Sequence, residues 1–95
     1  MKPLTIPTVH LGGTSAQNLI DPLLTATKAL WAAMRALDAT EPNSRDYYPQ
    51  GADAFQQAVR EQDARGRKLR EVSDELYEIV EAVQEQADAQ VRQRR

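Results

Sequence analysis

The sequence predicts an all-α protein: an antiparallel helical hairpin with an extended N-terminal arm, assembled as a homo-oligomeric helical bundle. Three observations lead to this fold class. Residues 52–92 contain no proline and a single glycine, Gly66. From Leu69, apolar residues recur at spacings of three, four, three and four as far as Val83, and Ala87 follows four residues later; this is the period of a helix that packs on another helix. Elsewhere, proline and glycine divide the chain into an arm, a first helix and a connection.

The arm is expected to span residues 1–13. Pro3 and Pro7 exclude a regular helix there, and Ile6, Val9 and Leu11 supply apolar side chains that can pin an extended segment. A pair of glycines then ends the arm.

The first helix is predicted over residues 15–39. Thr14 and Gln17 fit a capping box, in which each side chain binds the other residue's backbone N–H. Leucines, Trp31 and Met34 form a wide apolar face. Pro22 complicates this helix because it lacks a backbone donor and clashes with the preceding turn. We expect either a kink near residue 22, or a short helix followed by a longer one with Asp21 as its N-cap.

A connection of residues 40–51 is rich in turn-forming residues and longer than most links between helices, which have roughly 2–8 residues. The second helix is predicted over residues 52–92. About forty helical residues span roughly 60 Å, more than the rest of the chain is expected to cover. The apolar stripe from Leu69 to Ala87 therefore predicts self-association, with the number of copies and the helix sense left open.

Composition excludes several classes of function. The chain has no cysteine, so disulfides and thiolate chemistry are excluded. A net charge of −2 without a dominant basic face disfavours duplex nucleic acid. No apolar run is long enough for a membrane span, and we expect neither a secretory signal in residues 1–11 nor a membrane partner. His10 is the only imidazole, so neither a catalytic triad nor a Glu-x-x-His metal site is supported. We therefore expect no enzyme activity, metal or cofactor.

The first candidate binding motif is the junction between the arm and the first helix. Backbone N–H groups of Gly12 and Gly13 could face an anion at a helix N-terminus, helped by the hydroxyls of Thr14 and Ser15. A protonated His10 would add a donor. The alternative is a flexible joint that ends in an ordinary helix cap.

The second candidate lies in the connection. Tyr47 and Tyr48 offer ring faces for a base, Arg45 offers a planar cation, and Gln50 adds an amide. In the alternative interpretation one tyrosine packs on the end of the hairpin, the other is exposed, and Arg45 pairs with Asp46.

Charge along the second helix is segregated. Five basic residues lie between Arg60 and Arg70, and seven acidic residues lie between Glu71 and Asp88 with no base among them. The basic group is interpreted as a solvated face with salt bridges or, alternatively, as an anion site formed by symmetry copies. The acidic group resembles a metal site only weakly.

Two segments carry a resemblance to a known family. Residues 6–15 read I-P-T-V-H-L-G-G-T-S, and residues 46–51 read D-Y-Y-P-Q-G. The chain resembles a family of small, largely uncharacterised phage and prophage proteins of Gram-negative bacteria with an I-P-T-V-H-L-x-G-T-S opening and a D-Y-Y-P-Q-G loop around a helical pair. Gly12 and Pro22 depart from its pattern. The resemblance implies a phage accessory protein, in the cytoplasm of a bacterial host, that acts by binding and often against host defence.

Two functions follow as expectations. The first is a non-enzymatic counter-defence protein that sequesters a small nucleotide-like signal molecule, in a pocket where the arm of one copy meets the connection of another. The ligand-binding residues would be His10, Gly12, Gly13, Thr14, Ser15, Arg45, Tyr47, Tyr48 and Gln50. The alternative is an inhibitor or adaptor that binds a host or phage protein through its long charged helix.

Overall fold

The computed structural model describes residues 3–94 and shows an all-α hairpin. Helix α1 spans Ala16–Asp38 and helix α2 spans Ala54–Gln93, against predicted ranges of 15–39 and 52–92. Two short 3-10 turns, Ser44–Asp46 and Tyr48–Gln50, join them. The two helices pack antiparallel, and no strand occurs among the residues described. The predicted all-α hairpin is therefore confirmed.

Helix α1 begins one residue later than the predicted cap. Ser15, not Thr14, is the N-cap, and its Oγ accepts from the Asn18 N–H at 3.2 Å. Gln17 does not reach back to complete a capping box, because its amide donates to the Asp21 carboxylate. The predicted capping box is therefore wrong, although a hydroxyl still satisfies one of the free N–H groups at the helix start.

Pro22 lies inside α1, which continues through it as one helix. The predicted alternative of two separate helices is therefore wrong. The missing N–H of Pro22 leaves the Asn18 carbonyl without its helical donor. Because Asn18 and Pro22 are both exposed, water can bind that carbonyl and reduce the cost of the interruption.

The core is thin and lies toward the open end of the hairpin, where the arm also packs. Ile20, Val80 and Val83 are buried together. Half-buried apolar side chains from all three segments surround them: Ile6, Val9, Ala16, Leu19, Leu23, Leu24 and Ile79. The arm is thus pinned by Ile6 and Val9 as expected, whereas Leu11 is fully exposed and contributes nothing to the core.

Two glutamines of α2 fix the arm beside the hairpin. The Gln86 amide accepts from the Val9 N–H at 2.8 Å and donates to the Pro7 carbonyl at 2.7 Å. Gln90 donates to the Val9 carbonyl at 3.0 Å. These bonds satisfy backbone groups of the arm, which has no neighbouring β-strand among residues 3–94 to pair with.

The apolar stripe of α2 is used mostly within the chain. Val80 and Val83, which were expected to face another copy, are buried against α1 and the arm. The expectation that the rest of the chain is too short to cover this stripe is therefore wrong, because α1 and the arm together extend along α2 from Gln62 to Gln90. Val72, from the same stripe, remains 45% exposed.

The molecule is long and exposes more surface than a compact protein of its mass. Its radius of gyration is 19.9 Å and its longest dimension is 69 Å, whereas a compact chain of this length has a radius of gyration of roughly 12 Å. Its accessible surface is 7471 Å², against roughly 5,500 Å² for a compact monomer of the same mass. The excess is the size of a protein interface.

Candidate functional site

The junction between arm and α1 forms a closed backbone turn. The Gly12 N–H donates to His10 Nδ1 at 3.2 Å, and the Gly13 N–H donates to the His10 carbonyl at 3.1 Å. Both amides that sequence reasoning offered to a phosphate are therefore engaged within the turn. His10 Nδ1 is occupied as the acceptor of this bond, so in this turn that nitrogen does not face a ligand as the donor expected there.

The imidazole of His10 packs directly over the two glycines. A Cβ on Gly13 would lie 2.7 Å from His10 Nε2, and one on Gly12 would lie 3.5 Å from the ring. A Cβ at position 13 would therefore require the exposed His10 ring to move aside.

An open cleft lies beside this turn, at the end of the hairpin where α2 ends. Its volume of about 880 Å³ falls within the range of small-molecule pockets, roughly 300–1,000 Å³, but it is widely open to solvent. It is lined by His10, Gly12, Gly13 and Ser15 from the junction and by Gln90, Gln93 and the C-cap Arg94 from the end of α2, among others. Thr14 is exposed and outside this lining.

The connection lies at the other end of the hairpin. The Tyr47 ring packs on Phe55, with ring centroids 6.5 Å apart, whereas Tyr48 is 75% exposed. This is the arrangement of the alternative interpretation, in which one tyrosine packs and the other is free. Arg45 and Gln50 are exposed. Arg45 forms no ion pair with Asp46, so the pairing in that interpretation is absent.

The two candidate motifs do not meet within one chain. Gln62 contacts the end of α1 near the connection, and Gln90 contacts the arm beside the junction. Gln90 lies 28 residues after Gln62 on the same helix, a distance of roughly 42 Å. A pocket built from both motifs would therefore require a second copy.

Helix α2 exposes a row of carboxylates along its C-terminal half. Glu71, Glu78 and Glu85 recur every seven residues, as do Asp74, Glu81 and Asp88, and all six are exposed. Helical periodicity places both rows away from α1, since Ser73, Val80 and Val83 face inward. We call these six carboxylates the acidic ridge. Among residues 3–94 the one ion pair joins Glu85 to Arg92 at 3.0 Å, between two largely exposed side chains.

The basic half of α2 is exposed as well. The side chains of Arg60, Arg65, Arg67, Lys68 and Arg70 are all accessible to solvent. Arg67 and Arg70 border a small cleft at the end of α1, together with Asp38, Glu41 and Asp63. Carboxylates thus outnumber the two guanidinium groups in this cleft, which disfavours it as a site for an anion.

Sequence reasoning missed Gln86 and Gln90, the residues that position the arm. A signal was present: Gln86 lies near the end of the apolar stripe in α2 and Gln90 just beyond it, at helical positions where the alternating period of three and four continues from Val83. Polar side chains in such positions indicate that a backbone segment, rather than an apolar helix, packs there.

No protein family, curated protein or solved structure matches this chain significantly. Neither helix, over the residues described, is both long and apolar enough to cross a lipid bilayer. Within residues 3–94 no three metal-binding side chains cluster.

Proposed function

We propose that this chain is a non-enzymatic binding protein that self-associates and docks on a partner protein through the exposed surface of α2. The observation that carries the proposal is the accessible area of 7471 Å² on a thin two-helix body. The surplus over a compact monomer, on the order of 2,000 Å², exceeds the roughly 800 Å² that each partner buries in a standard protein interface.

The acidic ridge indicates the chemistry of the partner. Its six carboxylates present one sign of charge along about 17 residues of rigid helix, or roughly 25 Å. Only Glu85 has a basic partner among residues 3–94. Such a field attracts a basic surface and accelerates association. A protein surface that normally holds nucleic acid has this character.

The resemblance to phage accessory proteins supplies a context for this proposal. In that context the partner is a host or phage protein in the bacterial cytoplasm, and the effect of docking is inhibition or recruitment, including inhibition of host defence.

Charge reversal on the ridge tests the docking. The full-length chain is immobilised, and proteins retained from the bacterial host are identified by mass spectrometry. The double variant Glu78→Lys/Glu81→Lys is expected to lose a specifically retained protein, because attraction becomes repulsion. The double variant Arg45→Ala/Tyr48→Ala, at the other end of the molecule, is expected to retain it. Equal retention by both variants contradicts docking through the ridge.

Sequestration of a small nucleotide-like anion is the second candidate function. The cleft beside the arm junction favours it, because Arg94 and the start of α1 border the same space. Since the Gly12 and Gly13 amides are engaged, the positive charge would come chiefly from Arg94 and from Arg45 of a second copy. Tyr48 and Gln50 of that copy would add a ring face and an amide. Here the discriminating result is the reverse: Arg45→Ala or Tyr48→Ala abolishes ligand binding, and the ridge variant binds normally.

A further inference from the structure

A second strip on α2 lies beside the acidic ridge and mixes both charges with an apolar centre. Its members are spaced by three, four, three and four residues: Arg65, Lys68, Val72, Glu75 and Ile79. The first four are exposed, and Ile79 is half-buried. We call this set the central strip. Its spacing is that of a helix-packing seam. Its Ile79 end packs on the core that α2 shares with α1 and the arm, whereas Val72 at its centre stays 45% exposed.

The charges along the central strip are complementary to those of a second copy only when the two α2 helices run antiparallel. Lys68 lies four residues before Val72, and Glu75 lies three residues after it. When two copies of α2 run antiparallel and cross at Val72, each Lys68 faces Glu75 of the other copy. In a parallel pair, Lys68 would face Lys68 and Glu75 would face Glu75, and both contacts would be repulsive.

We propose that two copies of this chain form an antiparallel dimer through the central strip, with Val72 on the two-fold axis. The interface is isologous: the same surface of each copy meets itself. Val72 of one copy packs on Val72 of the other. The stem of Arg65 covers the exposed part of Ile79 in the other copy, and two equivalent Lys68–Glu75 pairs flank the axis. Glu71 of one copy approaches Glu71 of the other only at the rim of the interface, where solvent screens the repulsion between the two carboxylates.

The structure leaves room for this partner. The arm is bound further along α2 by Gln86 and Gln90. Ile79 packs on the same core as Ile6 and Val9 of the arm, so the chain itself partly covers only that end of the central strip. Val72 is 45% exposed although it continues the apolar stripe of α2. The surplus surface of the monomer also exceeds what one partner of a stable dimer needs to bury.

This inference specifies the self-association proposed above and rests on it, but it does not use the acidic ridge. Crosslinking tests the geometry, because the chain has no native cysteine. Val72→Cys should join two chains through a short bismaleimide in high yield. Tyr77→Cys is the matched control: Tyr77 is also 45% exposed, but five residues along α2 correspond to about 140° around the helix.

A charge swap provides the second part of the test. Lys68→Glu, or Glu75→Lys, should each raise the dimer dissociation constant about tenfold, since two attractive pairs become repulsive. The double variant Lys68→Glu/Glu75→Lys should restore dimerisation. A dimer that crosslinks through position 77 and not through position 72, or a double variant no better than the single variants, overturns this geometry while self-association stands. A monomer at all concentrations overturns both.

Discussion

At the residue scale, one hydroxyl decides where α1 begins. Ser15 accepts the Asn18 N–H, whereas Thr14 is exposed and caps nothing. Ser15→Ala should therefore lower the free energy of unfolding by about 1 kcal/mol. Thr14→Ala, the neighbouring control, should change it by less than half as much. Urea denaturation at fixed protein concentration measures both. A larger loss for Thr14→Ala would restore the capping box that the sequence predicts.

Gly66 and Gly51 should respond to alanine in opposite directions. A Cβ at Gly66 meets no atom within 4 Å, so the residue is not needed for close helix packing. Gly66→Ala should stabilise the protein by roughly 0.5–1 kcal/mol, because alanine loses less backbone entropy on folding. Gly51 has φ of +116°, a region unfavourable for alanine, so Gly51→Ala should destabilise it. Thermal denaturation reports the sign of each change, and a loss of stability in Gly66→Ala would refute the first expectation.

At the element scale, the arm is held by side chains rather than by regular structure. Gln86→Ala removes two hydrogen bonds to the arm backbone and should lower stability by about 1–2 kcal/mol. Hydrogen exchange should show faster exchange of the arm amides, that of Val9 above all. Gln84→Ala is the control, because Gln84 binds only the exposed Asp88 side chain. Equal protection of the arm in both variants would show that Ile6 and Val9 suffice to hold it.

The elements themselves were largely predictable, and the contacts between them were not. The absence of proline in residues 52–92 predicts α2, and the turn-forming residues before it predict the connection. Of the two alternatives predicted at Pro22, two separate helices is wrong: α1 continues through Pro22, where the preceding turn is exposed and water can bind the freed carbonyl. The engagement of the Gly12 amide depends on where the His10 ring lies, and the path of the arm depends on Gln86 and Gln90. No short-range pattern specifies where the His10 ring lies. The period of the apolar stripe marks the positions of Gln86 and Gln90, but it does not specify which segment they bind.

At the scale of the whole molecule, charge segregation along α2 should make assembly sensitive to salt. Opposite charges meet across the proposed dimer at Lys68 and Glu75, which are both exposed. Raising the ionic strength from about 0.05 M to about 0.5 M shortens the screening length severalfold and should weaken the dimer. Sedimentation velocity at several protein concentrations measures the shift. A dimer that tightens with salt would indicate a purely apolar interface in place of the central strip.

The central claim is that the uncovered length of α2 is an interface, and native mass spectrometry of the purified chain tests it most directly. We expect a dimer, or a higher multiple of the 10.7 kDa chain, at micromolar concentration. We also expect no additional stoichiometric mass of small-molecule size, because the proposed partner is a protein. A stoichiometric ligand of nucleotide mass would support sequestration over docking. A monomer at every concentration would contradict the claim.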